Sequence, residues 1–173
     1  QGCGKTTFFK MLGMEWFSNS LTTFSGKDAM EQVQGCWIIE AGELAGFNRA
    51  EMNDVKAFLS RQEDRYREPY GKRTSYFPRQ CIIVGTTNDT EFLKDETGNR
   101  RFWPVDLGKT EPVKNVWQDL PAEVPLIWAE ARERYLAGGM LDLTGEAAEE
   151  ALKQQERHRI DNVKEGLVRE FLE

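Results

Sequence analysis

Two short runs, CWIIE at 36–40 and CIIVGTTND at 81–89, are apolar almost to their last residues and then end in small or acidic polar groups. A run of that length, rich in β-branched residues and bounded by turn formers, reads as a strand buried on both faces. Something must cover both faces, and FNRAEMNDVKAFLSRQED supplies one cover, with Phe47, Met52, Val55 and Leu59 at helical spacing. Strands alternating with helices predict an α/β fold, a mostly parallel sheet with helices on both faces. RFWPVDL is expected as a third strand, short or at an edge because Pro104 cannot donate to a ladder. Beyond it, LPAEVPLIWAEARERYLAGG predicts a helix stopped by Gly138 and Gly139, and DLTGEAAEEALKQQERHRI a second one capped by Thr144 and running to the end. No repeat or linker divides the chain. The organisation expected is a core over 1–137 and a C-terminal helical extension over 138–173, the appendage beginning as early as about residue 112.

In an open α/β sheet, ligands bind at the carboxyl ends of the strands, so the polar groups closing the two apolar runs are the candidate site. The chain opens QGCGKTT. Gly2 and Gly4 allow the backbone to turn several N–H groups toward one anion, and the expected helix that follows (FFKMLGMEWF, with Phe8, Leu12 and Phe17 toward the core) adds unpaired amides and the positive end of its dipole. Lys5 would reach the β- and γ-phosphates of a nucleotide, Thr6 would ligate Mg²⁺, and Thr7 completes the loop. The first glycine of the full G-x-x-x-x-G-K-[ST] pattern would precede residue 1, so the chain reads as an N-terminally truncated piece lacking the strand that feeds the loop. Glu40, at the end of WIIE, is placed to hold Mg²⁺ beside Thr6; Glu43 could polarise an attacking water; Asn88 could orient that water or sense the γ-phosphate.

The charge distribution points to a second feature. The net charge is −6, which argues against a chain that coats nucleic acid over its whole surface. Yet residues 56–79 hold seven basic side chains (Lys56, Arg61, Arg65, Arg67, Lys72, Arg73, Arg79) against Glu63, Asp64 and Glu68, a local excess of +4. Lysine and arginine neutralise phosphates and tyrosine stacks on bases, so Lys56, Arg65, Arg67, Tyr70, Lys72 and Arg73 are candidate contacts to single-stranded or forked DNA. Cys3, Cys36 and Cys81 lack metal-ligand spacing and are expected as buried free thiols in a reducing cytoplasm. His158, the one histidine, is expected to be solvated, and Trp16, Trp37, Trp103, Trp117 and Trp128 to lie in the core.

The order GKT, WIIE, DRYREPYG, GTTN and TGNRRFWPV resembles the virulence-associated protein E family of phages, plasmids and pathogenicity islands, over about residues 1–137. Proteins of that family are similar to superfamily 3 helicases, themselves AAA+ ring ATPases. The resemblance therefore implies a P-loop NTPase fold and an ATPase that binds ATP and Mg²⁺, assembles as a homo-oligomeric ring and moves or melts DNA. It implies Lys5 and Thr6 as the first nucleotide motif, Glu40 as the second, Asn88 as the motif of the next strand, Arg100 or Arg101 as an arginine finger, and a DNA-gripping hairpin before the Asn-bearing strand with Tyr70, Gly71, Lys72 and Arg73 at its tip. Many AAA+ proteins carry two adjacent acids where this chain has Glu40 followed by Ala41, so Glu43 as the base lacks the support of that pattern. The competing expectations are an ATP-gated DNA-binding initiator or loader, and a P-loop phosphotransferase acting on a small molecule.

Overall fold

The computed structural model describes residues 2–42, 49–93 and 99–160, with backbone alone at 49 and 50. Helix α1 (Lys5–Gly13) leads through a 3-10 turn at Met14–Trp16 to the two-residue strand β1 (Phe17–Ser18). Helix α2 (Gly26–Gln32), strand β2 (Ile38–Gly42) and helix α3 (Arg49–Leu59) follow. Next come strands β3 (Glu63–Tyr66) and β4 (Ser75–Pro78), and then β5 (Ile82–Thr86). The chain closes with helices α4 (Leu120–Leu136) and α5 (Glu146–Arg157). No helix among the described residues is long and apolar enough to cross a membrane.

The protein is thus a mixed α/β molecule with a small parallel sheet and helices. The sheet order is β1-β2-β5, all parallel, with Ile38 opposite Ile82 and Glu40 opposite Val84. Residues alternate across β2 with period two. Ile39 and Ala41 enter the main core with Ala29 and Val33 of α2 and Met52, Val55 and Phe58 of α3. Ile38 faces the other way, toward the end of α1, where a Cβ on Gly13 would stand 3.4 Å from Ile38 Cβ. Burial on both faces is the physical reason that Ile38 and Ile39 are apolar in succession.

Several expectations are corrected. Residues 102–107 form no strand; Asn99–Arg101 is a 3-10 turn and the chain then runs irregularly past Pro104. Helix α1 ends at Gly13, Phe17 belongs to β1, and Phe8 is 38% exposed. Helix α5 starts one residue beyond Gly145, without a side-chain cap from Thr144. His158 is not solvated: it is buried, its ring nitrogen Nδ1 donating to the Thr90 carbonyl and its face tilted against Phe92. Its Nε2 lies 2.9 Å from Asp106 Oδ1, an electrostatic contact whose angles do not make a hydrogen bond. Gln155 donates to the Phe102 carbonyl and Ile160 to that of Leu93, so the end of α5 is seated on the body of the protein. Cys3 is exposed, whereas Cys36 and Cys81 are half-buried free thiols. Four tryptophans expected in the core lie substantially at the surface, Trp103 at 56%, Trp117 at 54%, Trp37 at 41% and Trp128 at 36% exposed.

Candidate functional site

The carboxyl ends of β2 and β5 meet the N-terminus of α1 around an open cleft of ≈ 820 Å³. Gly2, Gly4, Lys5, Thr6 and Thr7 form one wall, Glu40 the floor, and Thr86, Thr87 and Asn88 the far side. The register explains the convergence, because β2 and β5 run in step from Ile38–Ile82 to Gly42–Thr86 and so end together. Gly4 caps α1 with φ 80°, and Val116 Cγ1 lies 2.6 Å from where a Cβ would stand. Only glycine fits there, by conformation and by space.

Two polar ties close the site. Thr6 Oγ1 donates to Glu40 Oε1 at 2.7 Å, and Thr86 Oγ1 donates to the same oxygen at 3.0 Å. Glu40 is 4% exposed, a carboxylate held on the central strand by hydroxyls. Lys5 Nζ crosses the cleft to donate to the Thr87 carbonyl at 2.6 Å and to Asn88 Oδ1 at 3.1 Å. An ammonium, a hydroxyl–carboxylate pair and the amides of a helix end therefore face one space. That arrangement suits an anion accompanied by a hard cation. Among the described residues no cluster of three or more His, Cys, Asp or Glu forms a cation site by itself. A Mg²⁺ here would take the Thr6 and Glu40 oxygens and fill its remaining positions from water and ligand phosphates, a donor set that such an ion accepts.

Glu43 lies outside the described residues. Arg100 and Arg101 are exposed in the 3-10 turn and line no part of this cleft; Arg101 Nε donates to Ser60 Oγ at 2.6 Å, at the end of α3.

The basic stretch divides in two. Strands β3 and β4 pair antiparallel, so residues 63–78 are a hairpin and 67–74 its connecting loop. At its base, Arg79 Nη2 donates to Asp64 Oδ1 at 2.6 Å, Nε to Oδ2 at 3.2 Å and Nη1 to the Phe58 carbonyl at 2.6 Å. The Asp64 side chain is 0% and that of Arg79 7% exposed, so this pair joins hairpin to α3. Lys56, on α3 and outside the hairpin, is also buried. Arg65 pairs with Glu63 and lies over the Tyr76 ring on the exposed face. Arg67, Tyr70, Lys72 and Arg73 occupy the loop and are exposed. Gly71 N donates to Glu68 O at 2.9 Å, closing a turn in which Pro69 precedes Tyr70 at φ 66°. That position of a type II turn is usually glycine, so Tyr70 stands fully exposed in a strained conformation.

Sequence reasoning missed the Thr86 hydroxyl, one residue inside the expected strand end, and Trp117. TTN gave a signal for the first, since two hydroxyls precede the amide. For Trp117 the chain gives no local sign that it lies beside Gly4.

Fold and site define an α/β protein with a glycine-rich loop, a lysine and a hydroxyl–carboxylate pair at the carboxyl ends of parallel strands. The chain belongs to the virulence-associated protein E-like domain family, whose model matches residues 1–160, a span that takes in α5. That membership associates it with phage and plasmid proteins. Curated proteins give no match.

Proposed function

We propose that the protein is the ATPase part of a mobile-element replication motor, with an AAA+-type P-loop NTPase fold related to superfamily 3 helicases. It hydrolyses Mg-ATP at subunit interfaces to move or melt DNA. The observation that carries this reading is the convergence of Lys5, Thr6, Glu40 and Asn88 on one cleft although they are far apart in sequence. Lys5 leaves Thr87 and Asn88 for the β- and γ-phosphates, and the α1 amides hold the anion. Thr6 and Glu40 would hold Mg²⁺, which would supply neutralisation of the charge developing on the transferred phosphoryl group. Asn88 orients the attacking water. Arg100 or Arg101, exposed and outside its own cleft, reaches the cleft of a neighbouring subunit as a finger, which ties hydrolysis to ring assembly. The hairpin grips DNA through Arg67, Tyr70, Lys72 and Arg73, with Arg65 beside them on the exposed face.

The test is DNA-stimulated ATP hydrolysis by the protein and by Lys5→Ala, Arg101→Ala and a Lys72→Ala/Arg73→Ala double variant. The motor reading expects all three to lose stimulated turnover, and a mixture of the Lys5 and Arg101 variants to regain part of it. The double variant should also flatten the dependence of log affinity on log salt by about 1.4 for single strands. Strand separation of a forked duplex then distinguishes a helicase from an ATP-gated initiator or loader. Turnover that ignores DNA and survives Arg101→Ala would instead favour a small-molecule phosphotransferase.

A further inference from the structure

A second space of ≈ 660 Å³, an open groove, adjoins the polar cleft and is largely apolar: Lys10 and Met11 of α1 lie with Met14 on one side, Pro121, Val124 and Pro125 of α4 on the other. Thr7 and Trp117 line both spaces, so they stand at the boundary between a polar chamber and an apolar one. We infer that the apolar cavity is the nucleobase subsite of the proposed nucleotide site, and that Trp117 is the platform on which the base stacks. The inference rests on the phosphate-binding reading of the polar cleft.

The backbone around Trp117 is fixed by a closed, hydrogen-bonded turn. The Asn115 side chain accepts from Trp117 N at 2.9 Å and Gln118 N at 3.2 Å, while Asn115 N donates to Asp119 Oδ2 at 2.6 Å. Asp119 N returns to the Asn115 carbonyl at 2.8 Å. This closed turn leads directly into α4, with Lys114 paired to Glu123 across it. The indole edge comes within 3.4 Å of the Cβ position of Gly4, so the ring lies against the phosphate loop itself. Despite that packing the residue stays 54% exposed. A partly open indole fixed at the junction of a polar and an apolar chamber matches a nucleotide, whose phosphates want N–H donors and cations and whose base wants an aromatic or apolar face. Thr7, on the boundary, faces the part of the ligand between them.

The experiment compares ATP with inorganic tripolyphosphate, each titrated calorimetrically in the presence of Mg²⁺ into the protein, Trp117→Ala and Trp117→Phe. The expected result is that Trp117→Ala weakens ATP by about 5- to 150-fold, the range of aromatic–base stacking, leaves tripolyphosphate unchanged, and is largely rescued by Trp117→Phe. Equal loss of both ligands in Trp117→Ala would overturn the inference, since Trp117 would then merely shape the loop through Gly4. ATP binding unaffected by Trp117→Ala would overturn it while leaving the phosphate site standing. Failure of the unaltered protein to bind either ligand would remove the phosphate reading and the base subsite with it.

Discussion

Glu40 and Asp64 are both carboxylates buried on short strands, yet their surroundings are opposite. Asp64 receives two hydrogen bonds from one guanidinium, and Arg79 itself is nearly enclosed and lies 4.1 Å over the Phe58 ring. Glu40 meets two neutral hydroxyls on one oxygen, while the nearby ammonium of Lys5 is turned to a carbonyl and an amide. The first charge is neutralised inside the protein and serves to fasten the hairpin. The second is held in place without being neutralised, which leaves its field available to a cation at an open cleft. Neutral partners leave Glu40 a candidate to hold a cation, whereas the guanidinium makes Asp64 a structural tie.

The largest expected effect breaks the Asp64 tie. Arg79→Ala leaves Asp64 buried without its counter-ion and should cost about 3–5 kcal/mol, read from urea unfolding. The companion change at the cleft should behave differently. Glu40→Gln keeps an acceptor for Thr6 and Thr86 but removes the charge; stability should stay within about 1 kcal/mol, whereas Mg-dependent turnover should fall at least about 100-fold. A Glu40→Gln protein as unstable as Arg79→Ala would erase the contrast.

Asp106 offers an intermediate case. The Lys109 ammonium, 2.7 Å away, chiefly holds its carboxyl below the usual carboxylate range, with His158 and Arg157 adding to the effect and partial burial opposing it. A carboxyl with a depressed native value binds protons more weakly folded than unfolded, so its contribution is complete above the unfolded value of about 3.9 and is lost as pH falls through the lower native value. Thermal melts from pH 7 to 2 should therefore show an acid decline that Asp106→Asn reduces, on top of a loss of about 2 kcal/mol at pH 7.

The smallest expected stability change is at the hairpin tip. Tyr70→Gly relieves a left-handed conformation but adds unfolded-chain entropy, so stability should move by less than about 1 kcal/mol. Binding of single-stranded DNA should nevertheless weaken by about 1–3 kcal/mol, measured by fluorescence anisotropy. A large loss of stability would make Tyr70 another structural fastening.

Much was legible in residue patterns. WII marked β2 because a strand covered on both faces has no place for alternation; IIV marked β5 as a strand, but the expected burial on both faces fails there, since β5 lies at the edge of the described sheet, none of its residues is buried and Ile82 is 60% exposed. Gly138 and Gly139 marked the end of α4, where their N–H groups donate to the Tyr135 and Arg134 carbonyls. GKTT placed the start of α1, and the two polar strand ends named Glu40 and Asn88. Illegible were β1, whose two residues are too short for a pattern, and the irregular path of 102–107, where apolar composition mimicked a strand that no neighbour among the described residues pairs.

The sequence by itself determined that polar groups would close β2 and β5 and where α4 would stop, since those follow from local periodicity and turn chemistry. Only the tertiary structure decided which charges work outward and which inward. Arg79 and Arg73 are alike in a composition count, but one is closed under a ring and around an acid while the other stands in the exposed loop. Likewise Trp117 came to Gly4 because the turn before α4 folds back onto the glycine-rich loop across more than a hundred residues of chain. Electrostatic and stacking roles depend on neighbours in space and on exclusion of water, and neither quantity is carried by spacing along the chain.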